Sequence, residues 1–321
     1  MKLAFSTLGC PDFSWSDIYS IAKDFGFDGI ELRGLGNEIF SIHTKPFQDE
    51  NLDKTIAQLS KMRLEIPCLS SGCSLKFAER AEETHRELLE YIHLAGRLGT
   101  PYIRILGDLK AYPDGEVDDS VVLQGLNALI PAAEKNGVTL LVETNGVYAN
   151  TARLLSLLQQ IESDAVAVLW DFHHTYRFGG ETPAQTVQNL GAYIKYIHIK
   201  DSVVENGEVK YKMLGEGDLP IDDFIRALRS INYEGYVSLE WLKQYDPGLS
   251  DAGIVFPHYE NFMRQYMGRT EESRRLQYNN TKTGRYVWPK EHLIDLTFPQ
   301  VLDRMVEEFP DQNAFRYTIQ D

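Results

Sequence analysis

The sequence predicts a closed (β/α)8 barrel, an α/β fold, followed by a mostly irregular extension. Over about the first 268 of the 321 residues, short apolar runs alternate eight times with longer segments of helical period. The runs are rich in Val, Ile and Leu, as in parallel strands that are covered on both faces. An open doubly wound sheet is the alternative, but no glycine-rich phosphate loop follows the first run. The count of eight therefore favours the TIM barrel.

Each strand is predicted from an apolar run, and each helix from the segment of helical period behind it. Ser16 is a candidate N-cap of the first helix, because its hydroxyl can accept from the free amides of the first turn. Asn136-Gly137 is a stop signal for the fourth helix, and Asn206-Gly207 predicts a small hairpin after the seventh strand. The predicted strands are KLAFSTL, GIELRGL, IPCLSS, YIRILGD, VTLLVETN, AVAVLWDF, YIKYIHIKDS and YVSLEWL. The predicted helices span about residues 16–25, 51–63, 77–98, 120–135, 151–161, a short segment after 183, 221–230 and a last one through 258–267.

Residues 269–321 differ in character from the predicted barrel at 1–268. The stretch after about Arg269 is polar and has no clear period, which predicts a linker or a loose wrap. One amphipathic helix is predicted at about residues 299–309, with Pro299 in its first turn. The extension has too little apolar surface to form a domain by itself.

Composition limits the partners that the chain can bind. Lys and Arg number 32 against 47 Asp and Glu, a net charge of −15, and such a surface repels nucleic acid overall. No apolar stretch approaches the length of a membrane span. The three cysteines, Cys10, Cys68 and Cys73, fit a reducing compartment without a disulfide framework. We therefore expect a cytoplasmic protein that binds neither nucleic acid nor membrane, with Cys68 and Cys73 as buried or partly buried thiols rather than metal ligands.

Four consecutive predicted strands end in a residue that can bind a metal. Glu143 ends the fifth strand, Asp171 the sixth, His198 lies near the end of the seventh, and Glu240 near the end of the eighth. In a (β/α)8 barrel the carboxyl ends of the strands form one face and point at a common centre. These four side chains are therefore expected to lie close together.

Three carboxylates in one cleft repel each other, and a divalent cation removes this repulsion. Three oxygen donors with one imidazole suit Mn²⁺ best, with Co²⁺, Zn²⁺ or Mg²⁺ as alternatives. Each residue taken alone has a simpler explanation: a glutamate after a strand is usually a helix cap or a loop charge, and a histidine in YIHIKD is more often a core residue. The joint pattern favours one metal site.

Three neighbouring polar residues are candidates for binding substrate. Lys200 lies two residues after His198, so on an ideal strand it faces the same way. Asn145 has the same relation to Glu143. Arg104 lies on the fourth strand beside the predicted site. Each of these residues has a structural alternative: Lys200 can pair with a barrel carboxylate, and Arg104 with a buried partner such as Glu31.

Five motifs, VETN, WDFHH, YIHIKD, GEGDLPIDDFIRAL and GYVSLEW, resemble in this order the sugar phosphate isomerase/epimerase family of xylose-isomerase-like barrels. The resemblance covers about residues 1–267. It implies that Glu143, Asp171, His198 and Glu240 bind one divalent metal. The Asp-x-x-His spacing of the family implies that His174 holds substrate, which leaves His173 a packing or supporting role.

The family chemistry implies a metal-dependent isomerase or epimerase of a sugar, sugar phosphate or polyol ketone that works through an enediolate. The metal acts as a Lewis acid, and Glu143 and Glu240 are the candidate pair that exchanges the proton. A dehydratase of the inosose or 3-dehydroshikimate type is the alternative on the same barrel. An endonuclease IV-like nuclease is disfavoured, because CLSSGCS, RILGDLK and LGEGDLP lack its additional histidines. A non-catalytic module would have no reason to keep all four ligands.

A second resemblance concerns the end of the chain. LTFPQVLDRMVEEFPDQNAFRY is similar to the opening of adenylate-forming acyl-CoA synthetases. This resemblance implies either a fusion to such a domain in a longer protein or a relic of one, and the chain itself carries no ATP-binding motif. Sugar epimerases of the first family are often dimers or tetramers, so a homo-oligomer is a further expectation. No residue pattern indicates the interface.

Overall fold

The computed structural model describes residues 1–36, 38–39, 41–267, 300 and 303. The predicted helix at 299–309, apart from two isolated positions, and the similarity to acyl-CoA synthetases lie outside the described residues. The boundary between a barrel at 1–268 and an extension at 269–321 stays a prediction.

Eight parallel strands form a nearly closed barrel, which confirms the predicted TIM barrel. In the sheet the strands follow the order β2-β1-β10-β7-β6-β5-β4-β3. Backbone hydrogen bonds also join the two outer members of this order, for example from Ile30 N to Glu65 O (2.9 Å) and from Ser70 N to Leu32 O (2.9 Å). The barrel strands are β1 (Lys2–Ser6), β2 (Gly29–Glu31), β3 (Cys68–Ser74), β4 (Tyr102–Leu106), β5 (Thr139–Glu143), β6 (Val166–Asp171), β7 (Ile194–Ile199) and β10 (Tyr236–Leu239).

The predicted hairpin after the seventh barrel strand is present. Strands β8 (Asp201–Glu205) and β9 (Glu208–Lys212) pair antiparallel around the Asn206-Gly207 turn. Asn206 has φ +54° and Gly207 φ +82°, the positive values that a type I′ hairpin turn needs at both central residues.

The helices lie near their predicted positions, with two differences. The first helix begins at Trp15, and Ser14 is its N-cap, so the choice of Ser16 was wrong. Ser14 Oγ accepts from Asp17 N (3.3 Å) and the Asp17 carboxylate accepts from Ser14 N (3.1 Å), a reciprocal capping box. The short helix α6 was not predicted. The helices are α1 (Trp15–Asp24), α2 (Asp49–Met62), α3 (Ala81–Leu98), α4 (Asp119–Asn136), α5 (Thr151–Leu158), α6 (Phe172–Arg177), α7 (Pro183–Leu190), α8 (Ile221–Ser230) and α9 (Ala252–Arg264).

Side-chain alternation along β6 separates the apolar core from the barrel interior. Trp170 packs against Phe224 of α8 with ring centroids 5.1 Å apart, and its indole N–H donates to Thr175 Oγ1 (2.9 Å). Successive side chains of a strand point to opposite faces, so Asp171 faces the barrel interior. Its carboxylate also caps α6, because Asp171 Oδ1 accepts from His174 N at 3.0 Å.

The cysteines and the helix surfaces agree with the expectations from composition. Cys68 and Cys73 are buried free thiols, as predicted, and Cys10 is buried and free as well. None of the helices among the described residues combines the length and apolar character that crossing a bilayer requires.

Gly146 lies in the loop after β5 and allows this loop to pack onto the loop after β4. Its φ is +53°, and a Cβ atom at this position would lie 2.2 Å from Asp108 Oδ2. The buried Asp108 carboxylate accepts from the amides of Leu109 (2.8 Å) and Val147 (3.0 Å) and pairs with Lys76 (3.0 Å). One carboxylate therefore fixes two loops at the carboxyl end of the barrel.

We expect Gly146→Ala to destabilise the barrel more than Gly137→Ala, its control at the end of α4. Both positions have positive φ, which costs an alanine about 1 kcal/mol, but a Cβ at Gly137 meets nothing within 4 Å. The forced displacement of Asp108 adds roughly 1–3 kcal/mol in Gly146→Ala. Urea unfolding monitored by circular dichroism measures both losses. Equal losses would contradict the tight contact between the two loops.

Candidate active site

The four predicted metal-binding residues meet at the carboxyl end of the barrel. Their ligand atoms all lie within 4.8 Å of one another, one from each of Glu143, Asp171, His198 and Glu240. Each of these residues is at most 5% exposed. The register produces this grouping: His198 on β7 pairs with Asp171 on β6 and with Ser238 on β10, two residues before Glu240.

His198 has one ring nitrogen toward the carboxylates and the other toward Glu31. Nδ1 lies 3.3 Å from Glu143 Oε1, 3.5 Å from Glu240 Oε1 and 3.9 Å from Asp171 Oδ2. Nε2 lies 2.9 Å from both carboxylate oxygens of Glu31. An ionised carboxylate only accepts hydrogen bonds, so Nε2 carries a hydrogen atom and donates a hydrogen bond to Glu31. This arrangement leaves Nδ1 as the nitrogen that can bind a metal.

Glu31 was named as one candidate partner of Arg104, but the structure pairs it with His198. Glu31 accepts from His198 and from Ser70 Oγ (2.6 Å) inside the barrel. It ends β2 as Glu143 ends β5, so the strand-end rule that selected the four ligands could also have selected Glu31. The sequence could not show that β2 places its carboxylate behind the imidazole of His198.

Arg104 contacts two of the predicted ligands instead. Its Nε lies 2.9 Å from Glu143 Oε2 and its Nη2 lies 3.6 Å from Glu240 Oε1. Its Nη1 donates to the carbonyl oxygen of Ser71 at 2.7 Å. Because β4 and β5 are neighbours in the sheet, Glu143 is the closer carboxylate for a side chain on β4. The guanidinium is anchored on both sides.

Lys200 forms ion pairs with the two remaining sides of the cluster. Its Nζ lies 2.6 Å from Glu240 Oε2 and also contacts Asp171 Oδ2. The side chain is fully buried, with 1% of the residue exposed. The salt bridge to a barrel carboxylate that the sequence allowed for Lys200 is therefore present.

The surroundings shift the pKa values of the carboxyl groups in opposite directions. Burial raises the pKa of Asp171 to about 6, although the ammonium of Lys200 opposes this. Burial acts in the same sense on Glu240, but Lys200, His198 and Arg104 hold its pKa well below the ordinary range. For Glu143, burial is outweighed by Arg104 and by the hydrogen bond from His198, so its pKa is lowered.

The charges of the cluster fit a bound divalent cation. Among the described residues, four buried carboxylates (Glu31, Glu143, Asp171, Glu240) face two side-chain cations, Arg104 and Lys200. Burial lowers the pKa of His198, but Glu31 and Glu240 raise it well above its ordinary value, so this imidazole takes up a second proton when no metal neutralises the site. Even then the carboxylates exceed the cations by one. A divalent ion beside a neutral His198 balances the cluster.

Two further predicted residues lie at the edge of the cluster. His174 Nδ1 lies 3.5 Å from Asp171 Oδ2 and 3.8 Å from Glu143 Oε1, and it has no hydrogen-bond partner in the part of the chain that is described. Burial, and then Lys200, lower the pKa of His174 well below its ordinary value, so the ring is neutral. Asn145 donates to the carbonyl oxygens of Asp108 (2.8 Å) and Lys110 (3.2 Å). Its amide group therefore fixes the loop after β4.

His173 lies outside the carboxylate cluster, in the packing position expected for it. Its Nε2 lies 3.0 Å from Ser202 Oγ. The ring packs against Phe178 and Tyr211, with centroids 5.6 Å and 5.5 Å away. The adjacent histidines therefore have different surroundings. Each has an Nδ1 without a hydrogen-bond partner among the described residues, and each offers a ring nitrogen within 4.8 Å of an Asp171 oxygen, but His174 also approaches Glu143.

Comparisons with known proteins agree with this fold. The chain is 23% identical to a 3-dehydroshikimate dehydratase of Bacillus anthracis over 247 residues, which covers 71% of this chain and 85% of the relative. It is 24% identical to a fructoselysine 3-epimerase of Escherichia coli O157:H7 over 256 residues, which covers 76% and 92%. A crystal structure described as IOLI protein with a binding zinc atom superposes with a TM-score of 0.68 at 17% identity, covering 84% of this chain and all of that one. Residues 19–254 match the family model of the xylose isomerase-like TIM barrel, and the chain belongs to this family.

Proposed function

We propose that this chain is a divalent-metal-dependent isomerase or epimerase of a sugar, sugar phosphate or polyol ketone. The observation that carries the proposal is the convergence of Glu143, Asp171, His198 and Glu240 in one buried cluster with excess negative charge. The relatives named epimerase and dehydratase support an enzyme that acts on a small molecule of this class. In this proposal the substrate is a small molecule rather than a nucleic acid.

The four residues would hold one metal ion through three carboxylates and His198 Nδ1. When bound, such an ion supplies Lewis-acid chemistry that polarises a substrate carbonyl and makes the neighbouring C–H more acidic. The donor set suits Mn²⁺ best, with Co²⁺, Zn²⁺ and Mg²⁺ as alternatives. The zinc atom named in the description of one structural neighbour supports a metal in this family without selecting Zn²⁺ for this chain.

Glu143 and Glu240 are the proposed acid–base pair. They come from β5 and β10, which β6 and β7 separate in the sheet, so they approach the centre from different directions. Arg104 contacts both carboxylates and favours their ionised forms, and an ionised carboxylate can accept a proton from carbon. One ionised glutamate removes the proton from carbon, and the other, after taking up a proton from solvent, delivers that proton to the opposite face and inverts the centre. Delivery to the neighbouring carbon, with a proton moved between the two substrate oxygens, gives an isomer.

His174 is the strongest of the four proposed substrate-binding residues. Its buried Nδ1 faces the cluster and has no hydrogen-bond partner among the described residues, so a substrate hydroxyl can use it. Lys200 and Arg104 are engaged by carboxylates, and Asn145 by backbone carbonyls. For Lys200 and Arg104, substrate contact uses a group already paired with carboxylates, whereas Asn145 Oδ1 is buried and has no hydrogen-bond partner among the described residues, so a substrate hydroxyl can donate to it.

A dehydratase on the same site is the second candidate. The relative named 3-dehydroshikimate dehydratase favours it, and so do relatives named inosose dehydratase. The first step, removal of a proton next to a carbonyl, is common to both reactions. The two candidates differ in whether the proton returns to carbon or a β-hydroxyl group leaves.

We expect Glu143→Gln and Glu240→Gln each to lower proton exchange by roughly 10²–10⁴-fold, the usual contribution of a positioned acid or base. The assay incubates the Mn²⁺-loaded protein in D₂O with ketoses, sugar phosphates, inosose and dehydroshikimate, and follows deuterium incorporation by mass spectrometry. Glu65→Gln is the control, because Glu65 pairs with Lys2 at the opposite end of the barrel. If Glu240→Gln incorporated deuterium at the wild-type rate, Glu240 would be excluded as the acid or base.

We expect Glu31→Gln to weaken metal binding by about 10–100-fold, the usual cost of losing a carboxylate that orients a histidine ligand. Isothermal titration calorimetry with Mn²⁺ gives the affinity, and circular dichroism verifies the fold of each variant. Ser70→Ala removes a hydrogen bond to Glu31 but leaves the charge of Glu31 in place. We therefore expect this variant to lose less Mn²⁺ affinity than Glu31→Gln. Unchanged affinity in Glu31→Gln would show that His198 needs no orienting carboxylate.

A further inference from the structure

We propose that Lys200 is the built-in counter-cation of this site: its ammonium group holds Asp171 and Glu240 together in the metal-free protein, and a divalent ion displaces it from Asp171. The proposal rests on the metal dependence proposed above, but it does not depend on which reaction the site performs. It assigns to Lys200 a role in metal binding in addition to the substrate contact expected from the sequence.

The position of Lys200 in the sheet explains its contacts. The residue directly follows β7, and β7 lies between β10 and β6 in the sheet order. A side chain that points inward from this strand reaches the carboxylates of both neighbours, Glu240 Oε2 at 2.6 Å and Asp171 Oδ2. One ammonium group therefore bridges two of the four proposed metal ligands.

Asp171 has one oxygen available for a metal, and Lys200 contacts this oxygen. Asp171 Oδ1 already accepts from His174 N at the start of α6 (3.0 Å). Asp171 Oδ2 is the oxygen that faces His198 Nδ1, at 3.9 Å. A metal ion bound to Asp171 Oδ2 and His198 Nδ1 would thus share a ligand atom with the ammonium group of Lys200.

Two cations on one carboxylate oxygen in a buried site repel each other strongly, because water does not screen them there. Arg104 is the less mobile of the two buried cations, since it is anchored by Glu143 and by the carbonyl oxygen of Ser71. Lys200 carries its charge on a flexible four-carbon stem, and among the described residues its Nζ donates hydrogen bonds only to the two ligand carboxylates. We infer that Lys200 is the group that moves.

This exchange has a consequence for the order of binding. While Lys200 pairs with Asp171, two of its three N–H donors are used by carboxylates. Displacement from Asp171 frees a charged donor beside the proposed metal, where a substrate oxygen can accept from it. Metal binding therefore prepares the substrate contact of Lys200, and the metal is expected to bind before the substrate.

The first test uses isothermal titration calorimetry to compare the Mn²⁺ affinities of four proteins: wild type, Lys200→Met, Lys200→Arg and Lys76→Met. Lys200→Met keeps the length of the side chain without its charge and is expected to bind Mn²⁺ at least 10-fold more tightly. Lys200→Arg is expected to stay within about 3-fold of wild type. Lys76→Met removes a lysine that pairs with Asp108 outside the ligand set and is expected to leave the affinity unchanged. Equal or weaker binding by Lys200→Met would overturn the proposal.

The second test uses the wild-type chain, so it does not depend on how the variants fold. Nitrogen-15 NMR of lysine ammonium groups is recorded before and after saturation with diamagnetic Zn²⁺, and Lys200→Arg assigns the signal. The Lys200 signal is expected to shift and to exchange faster with water when Zn²⁺ binds. An unchanged Lys200 signal at Zn²⁺ saturation would overturn the proposed displacement of Lys200 from Asp171. Failure of the wild type to bind any divalent ion would instead overturn the proposed metal dependence.

Discussion

Burial of negative charge at one end of the barrel is the constraint on which the site depends. Glu31, Glu143, Asp171 and Glu240 are nearly inaccessible to water, and isolated buried carboxylates are strongly unfavourable. The protein offsets part of this charge with three groups that each bridge two carboxylates. His198 joins Glu31 to Glu143, Arg104 joins Glu143 to Glu240, and Lys200 joins Glu240 to Asp171.

The barrel architecture makes this chain of ion pairs possible. Parallel strands bring their carboxyl ends to one face, and β7 contributes both His198 and Lys200 because side chains two residues apart share a face. One strand therefore supplies a proposed metal ligand and the cation that we propose the metal displaces. Asp171 has two tasks of its own, since Oδ1 caps α6 while Oδ2 faces the cluster. The cap fixes the orientation of the carboxylate toward the site.

The local features of the fold and the grouping of the four ligand candidates could be predicted from the sequence. Strand-end carboxylates are a one-dimensional pattern, and the barrel turns sequence order into spatial proximity. Pairings across the barrel were not predictable in this way: Glu31 was a candidate partner of Arg104, whereas β4 places Arg104 against Glu143 and β2 places Glu31 behind His198. The N-cap prediction for α1 failed although the sequence carries a signal: Ser14 is followed three residues later by Asp17, the capping-box spacing, whereas Ser16 is followed at that spacing by Tyr19.

Anomalous diffraction is the most direct way to find out whether the carboxylate cluster binds a metal ion. Crystals grown with Mn²⁺ and measured with X-rays on either side of the manganese edge locate the ion independently of activity. We expect one strong anomalous peak in contact with Glu143, Asp171, His198 Nδ1 and Glu240, with Lys200 Nζ withdrawn from Asp171. If saturating Mn²⁺ gave no anomalous peak at the cluster and Lys200 still bridged Asp171 and Glu240, the cluster would not be a manganese site.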